Sequence, residues 1–244
     1  MNPKPRLAYI AQFAHPGSYQ KANWVRVLGG DDETIAFRAL LEASGLADRF
    51  EYIGVRAHEG EEISLDYDMA VLGGSFASVH DGHEWQREIQ KWLTAWRVTE
   101  KPLLGICGGH QQMAVVLGGR VSRRPEGPVV GSLPVTRTEA GQRHFLFEGF
   151  TDESPFFFGN FDHVDTPPRG AATLATRPGL PHAALDHGGN WVSVQFHPET
   201  TCDRMATCWL EIDQEQSRRY SFIPQCQGMV ENFLRHGLRV LAAA

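Results

Sequence analysis

The stretch PLLGICGGHQQMAVVLGG, residues 102–119, decides how the rest of the chain is read. Residues 102–106 form an apolar run of strand length that leads straight into Cys107. Residues 111–117 have helical character, with Gly118-Gly119 as a stop signal. A cysteine on a sharp strand-to-helix turn, flanked by Gly105, Gly108 and Gly109, is the pattern of a nucleophile elbow with sulfur where other hydrolases carry serine. Such a turn holds the side chain out over the sheet edge, and the glycines relieve crowding where the backbone is strained. The N-terminus of the following helix favours negative charge on the sulfur. It also presents free N–H groups, so the amide of Gly108 can bind a developing oxyanion. Taken alone, the motif is equally that of a buried structural cysteine beside a glycine-rich turn.

Working outward, the first half of the chain alternates strand and helix. Residues 7–11, 50–55 and 69–72 read as short buried strands, the last ending at Gly73-Gly74. Asp31-Asp32 offers a helix cap before apolar residues at helical spacing over 35–43. Trp85, Ile89, Trp92, Leu93 and Trp96 recur every three or four residues, the stripe of an amphipathic helix packed on a sheet. The second half holds strand-like stretches at 129–135, 155–158, 172–176, 182–185 and 191–196, then helical segments near 203–216 and 225–236. This order predicts an α/β fold, a three-layer αβα sandwich with a central, mostly parallel sheet, as one domain over residues 1–244. Residues 202–222 read as an insertion whose helix is solvated. Residues 13–30 read as a plain surface loop, with cover for a site or a partner as the alternative.

A second motif lies at the end of the strand predicted over 191–196: Phe196-His197-Pro198-Glu199. Pro198 biases His197 toward extended backbone. Residues two apart then point the same way, so Glu199 can reach the ring nitrogen of His197 that faces away from the thiol. That arrangement fixes the tautomer and stabilises an imidazolium, the task of the third member of a triad.

Composition narrows the remaining classes. Hydrophobic residues at 42% and charged residues at 21% are an ordinary globular mixture. A formal charge of -6 argues against a wide nucleic-acid footprint, and the pairs Arg123-Arg124 and Arg218-Arg219 read as solvated surface. The cysteines Cys107, Cys202, Cys208 and Cys226 include no Cys-x-x-Cys pair, so no structural zinc is expected. The last three read as packing residues of a reduced, cytoplasmic protein. The remaining histidines show no ligand spacing, so no metal and no cofactor are assigned. No apolar run approaches the roughly 20 residues of a membrane span.

Together, Gly105, Cys107, Gly109 and Gln111, with Phe196-His197-Pro198-Glu199, resemble the class I glutamine amidotransferase family, especially the glutaminase domain of GMP synthases. Val71-Leu72-Gly73-Gly74 also matches, and the similarity runs over roughly residues 48–200. The resemblance implies a flavodoxin-like αβα fold with Cys107 as nucleophile, His197 as base and Glu199 as its orienter. It implies that the amide of Gly74 joins that of Gly108 in the oxyanion hole. It places glutamine against Gln111 and the segment Asn160, Phe161, Asp162. The family usually shows His-Gly-Asp there, so Asp162 matches while Asn160 and Phe161 depart. The expected substrate is glutamine or a γ-glutamyl small molecule.

No nucleotide-binding loop follows in the chain, so ammonia released from glutamine would pass to a synthetase on another chain. The alternatives are a self-sufficient γ-glutamyl peptidase or amidase, and a non-catalytic regulatory or binding protein on the same fold. A dienelactone-hydrolase-like enzyme would instead place its acid between the cysteine and the histidine in sequence.

Overall fold

Residues 3–210 and 212–243 are described by the structure, a computed structural model. The strands of the first half are β1 (Arg6–Ala11), β2 (Glu51–Arg56), β3 (Met69–Leu72) and β4 (Leu103–Ile106). Helices α1 (Glu33–Ala43), α2 (Glu84–Arg97) and α3 (Gly108–Val116) alternate with them. Then come β5 (Arg120–Arg123), β6 (Val129–Arg137), the short α4 (Glu139–Gln142), β7 (Glu153–Asn160) and β8 (Asp162–Thr166). The chain continues through β9 (Ala172–Arg177), β10 (Leu180–Asp186) and β11 (Trp191–Val194) to α5 (Cys202–Leu210), α6 (Gln214–Ser217) and α7 (Gly228–Ala243).

Among the described residues the main sheet runs β2-β1-β3-β4-β11-β10-β9-β6-β7. The side from β2 to β11 is parallel, and β10, β9, β6 and β7 extend it antiparallel. Strands β5 and β8 pair in a separate small sheet that the sequence reading missed, because both are short and only partly buried.

Side-chain alternation explains the three layers. Leu7, Tyr9, Met69, Val71, Leu104 and Ile106 point to one core, which holds Phe37, Leu40 and Leu41 of α1 and Met229, Phe233 and Leu234 of α7. Ala8, Ile10, Ala70, Leu72 and Leu103 point to the other, against Trp85, Ile89, Trp92, Leu93 and Trp96 of α2. A sheet buried on both faces needs apolar residues at every strand position, as these strands have. Each large apolar side chain so buried contributes roughly 1.5–3 kcal/mol. Helix α1 starts where Asp32 accepts the Thr34 amide at 2.8 Å, so the expected cap forms.

Several expectations change in detail. The helix expected over 203–216 is broken: α5 stops at Leu210, and Asp213 starts α6 by accepting the amides of Glu215 and Gln216. Helix α5 is not a solvated helix, since Arg204, Met205 and Trp209 are buried. Residues 13–30 are more than a surface loop: Phe13 and Trp24 are buried edge-to-face at 4.7 Å. Buried Arg204 ties the two segments together by donating to the carbonyls of Leu28 and Gly30 at 3.2 and 2.9 Å. Its guanidinium also lies 5.2 Å from the Trp24 ring centre. The pair Arg123-Arg124 is not simply solvated: Arg124 donates to the carbonyls of Gly127 and Gly179, and Arg123 lies over the Phe161 ring. No helix among the described residues is long and apolar enough to cross a membrane.

Gly109 ties this frame to the elbow. Its amide donates to the Gly73 carbonyl at 3.1 Å, and a Cβ at this position would run into the Leu72 carbonyl oxygen. Gly109→Ala is therefore expected to lower stability by about 1–3 kcal/mol in urea unfolding, as overpacking does elsewhere. An unchanged midpoint would show that β3 and α3 do not meet this closely.

Candidate active site

Strand β4 ends at Ile106, and the chain turns at Cys107 with φ 48° and ψ -100° before α3 begins. A residue with a side chain rarely adopts this backbone, which costs of order 1–3 kcal/mol and persists only when its surroundings impose it. Here the Cys107 amide donates to Val194 O of β11 at 2.8 Å, and its carbonyl accepts from the Gln111 amide at 3.1 Å. The turn is the elbow expected from sequence, and Cys107 is 4% exposed.

His197 arrives from the neighbouring strand. Strand β11 ends at Val194 rather than at 196, because Phe196 turns inward and stacks on Phe156 at 4.2 Å. The His197 amide then donates to Phe157 O of β7 at 2.8 Å, which moves the histidine across from β11. Its Nδ1 lies 2.8 Å from Glu199 Oε1. Burial alone would depress the imidazolium, but the charges of Glu199 and then Cys107 outweigh it and hold the His197 pKa well above the usual value. Gly74 lies against both groups: a Cβ there would sit 2.6 Å from His197 Cε1 and 3.6 Å from Cys107 Cβ. A Cβ on Gly108 would sit 2.9 Å from the Ser75 nitrogen. The backbone at 74–75 therefore packs directly against the elbow and the histidine.

The residues assigned to substrate by resemblance line the same cleft, a cavity of about 290 Å³, near the low end for small-molecule sites. Gln111, Asn160, Phe161 and Asp162 all reach it, together with Cys107 and His197. Gln111 Nε2 donates to the Asp162 carbonyl at 2.9 Å and to Gln195 Oε1 at 3.2 Å. Asn160 Nδ2 reaches the same carbonyl at 2.9 Å, while its buried Oδ1 has no partner among the described residues. The Asp162 carboxylate accepts from Ser78 Oγ at 2.6 Å. Gln195 Nε2 stands 3.5 Å from Cys107 Sγ. Gln195 falls within the strand expected over 191–196 and has no role there; its position beside the sulfur depends on β11 lying next to β4.

More of the lining comes from Phe76 and from the two segments, 13–30 and 202–222, that the sequence reads as loop and insertion. Phe13, Phe76, Met205, Cys208, Trp209 and Ile212 supply it, and Trp209 packs on Phe161 with ring centres 5.4 Å apart. Cys208 is thus part of the cavity wall, where burial pushes its thiol up. Glu33, the first residue of α1, also lines the cavity. Burial raises its carboxyl to about 7, against the pull of Arg204 and with a further push from Glu199.

Fold and site together define an αβα protein with a cysteine and a histidine lining one cleft and a glutamate held against the histidine. The chain belongs to the class-I glutamine amidotransferase family: residues 34–213 match the family model described as Glutamine amidotransferase class-I. It is 41% identical over 99 residues to the glutamine-hydrolyzing GMP synthase of Aeropyrum pernix, covering 41% of this chain and 19% of that one. It is 31% identical over 143 residues to a glutamine-hydrolyzing GMP synthase subunit of Saccharolobus solfataricus, covering 58% of this chain and 72% of that one. A glutamine amidotransferase of Thermotoga maritima superimposes with a TM-score of 0.71 at 20% identity, over 96% of this chain and 97% of that one, a likeness of fold.

The raised carboxyl of Glu33 has a consequence for stability. The folded protein keeps a proton there up to about pH 7, whereas the unfolded chain releases it near 4.5. Stability is therefore lost as pH rises from about 4.5 through about 7. Glu33→Gln cannot ionise, so it is expected to be more stable than wild type above pH 7, by at most ~3 kcal/mol, with the gap closing below pH 5. Urea unfolding at pH 5 and pH 8 measures this, and a gap that does not grow with pH contradicts it.

Proposed function

We propose that the chain hydrolyses the γ-carboxamide of glutamine through a γ-glutamyl thioester on Cys107. The observation that carries this reading is the His197 ring beside the elbow cysteine with its Nδ1 on Glu199 at 2.8 Å. In the resting site His197 holds the proton and the Cys107 sulfur is the nucleophile. The sulfur attacks the γ-carbon, and the carbonyl electrons move onto oxygen. The amides of Gly74 and Gly108 receive that oxyanion. As the carbon–nitrogen bond breaks, His197 gives its proton to the departing nitrogen, and ammonia leaves. A water then loses a proton to His197 as it attacks the thioester, and glutamate departs as the sulfur is regenerated. Throughout, Glu199 keeps the ring oriented and stabilises its positive charge.

In this reading Gln111 and Gln195 shape the cleft beside the sulfur, and the 160–162 segment meets the glutamate portion of the substrate. The ammonia goes to a synthetase on another chain. That part is supported by the match to a GMP synthase subunit in Saccharolobus solfataricus, 72% of which is covered.

One observation favours a second reading. The cleft that holds Cys107 and His197 is also lined by the apolar side chains of Met205, Trp209 and Ile212. A γ-glutamyl amide bearing an apolar group on its nitrogen would use those side chains, and the chain would then act as a stand-alone γ-glutamyl amidase.

Cys107→Ala is expected to abolish release of glutamate from L-glutamine while leaving the circular dichroism spectrum intact. Glu199→Gln keeps the shape but not the charge, and is expected to lower kcat by about 10²–10⁴-fold, by analogy with neutralised triad acids. Turnover surviving in the Cys107 variant ends the mechanism. Comparison of kcat/KM for L-glutamine and for γ-glutamyl-anilide separates the two readings: a clear preference for the anilide assigns the amidase.

A further inference from the structure

Only one oxygen of the triad carboxylate is used by the mechanism. Glu199 Oε1 holds His197, while Oε2 is buried with no protein partner among the described residues. The same is true of Glu33 Oε2, Thr200 Oγ1 and Arg204 Nη2. These four residues, which come from α1, from the segment after β11 and from α5, line one small void together with Tyr9 and Phe37. Its volume of about 10 Å³ suits a single water, which makes two to four hydrogen bonds. Buried polar atoms are nearly always paired, and one left unpaired costs about 1–3 kcal/mol. Four such atoms around a water-sized void are thus a site for that water. Its two lone pairs suit the donors Arg204 and Thr200, and its two hydrogens suit the carboxylates.

We propose that Glu33 is a positioning residue for the triad: with Arg204 it holds one water against Glu199 Oε2, and this water fixes the carboxylate that orients His197. The inference rests on the Cys107–His197–Glu199 reading above and adds a fourth residue to it. Glu33 is well placed for the task, because it lines both the void and the active-site cavity.

The titratable and charged groups facing Glu33 are Arg204 and Cys208 from α5, Glu199 and His197 beyond β11, Tyr9 and Tyr52 from the sheet, and Asp32 at its own helix cap. While Glu33 is protonated, Glu199 and Arg204 balance one another. Once it ionises, near pH 7, an extra negative charge stabilises the His197 imidazolium, and with it the thiolate of Cys107.

Alkylation of Cys107 by iodoacetamide, followed by mass spectrometry of the peptide that carries it, tests this without reference to any substrate. Wild type is expected to show a rise in alkylation rate with an inflection near pH 7. Glu33→Gln keeps the hydrogen-bonding shape, so its rate at pH 8 stays within about threefold of wild type, but the inflection disappears. Glu33→Ala loses both, with a rate about tenfold lower. A Glu33→Gln profile that superimposes on wild type overturns the proposal. So does a Glu33→Ala protein whose alkylation is unchanged but whose KM for L-glutamine rises, since that would put Glu33 on the substrate. A Cys107 that never alkylates faster than a free thiol overturns the triad reading itself, and the inference with it.

Discussion

A cysteine held at φ 48° is the constraint on which the rest of this protein depends. Nothing local favours that backbone for a residue with a side chain, so the surroundings must impose it. They do so from three directions. Strand β11 accepts the Cys107 amide, α3 begins on its carbonyl, and β3 presses against Gly109 through the Leu72 carbonyl. The first and last of these contacts need a neighbouring parallel strand in register, and the two hydrophobic cores supply that registration. The strain at one sulfur is thereby spread over the packing of the whole sheet.

The same geometry places the partners of the sulfur. Because β11 lies beside β4, the chain that leaves it passes the elbow at once: Gln195 meets Sγ, Phe196 anchors in the core, and His197 is caught by β7. Histidine and glutamate then share one short extended segment, and their contact needs no long-range closure. The cleft is completed from the other side by α5 and residues 13–30, joined through Arg204. One buried guanidinium thus binds two segments, stacks on Trp24 and offsets the negative charge of Glu33 and Glu199. Packing and electrostatics at this wall are set by the same side chain.

Much of this was legible in the residues themselves. The apolar run of Leu7 to Ala11, the tryptophan stripe of α2 and the Gly-x-Cys-x-Gly turn report local geometry, and local geometry is what residue pattern and turn chemistry encode. The pairing of His197 with Glu199 was legible for the same reason, being a contact between residues two apart. The helix break after Leu210 was missed, as were the roles of Arg123, Arg204 and Glu33. Each of these three roles depends on a partner far away in the chain: Phe161 for Arg123, the Leu28 and Gly30 carbonyls for Arg204, and Glu199 for Glu33.

By itself, the sequence determined an αβα sheet carrying a cysteine elbow, and a histidine with its carboxylate at the end of a later strand. Those features follow from backbone preference, side-chain period and nearest-neighbour reach. Only the tertiary structure decided which strands lie side by side, that Gln195 faces the sulfur, and that α5 with residues 13–30 walls the cleft. It also decided that Glu33, at the start of α1, shares a buried void with Glu199, whose other carboxylate oxygen meets His197. Such relations are between surfaces distant in sequence, and they come into being only when burial of the two cores brings those surfaces together.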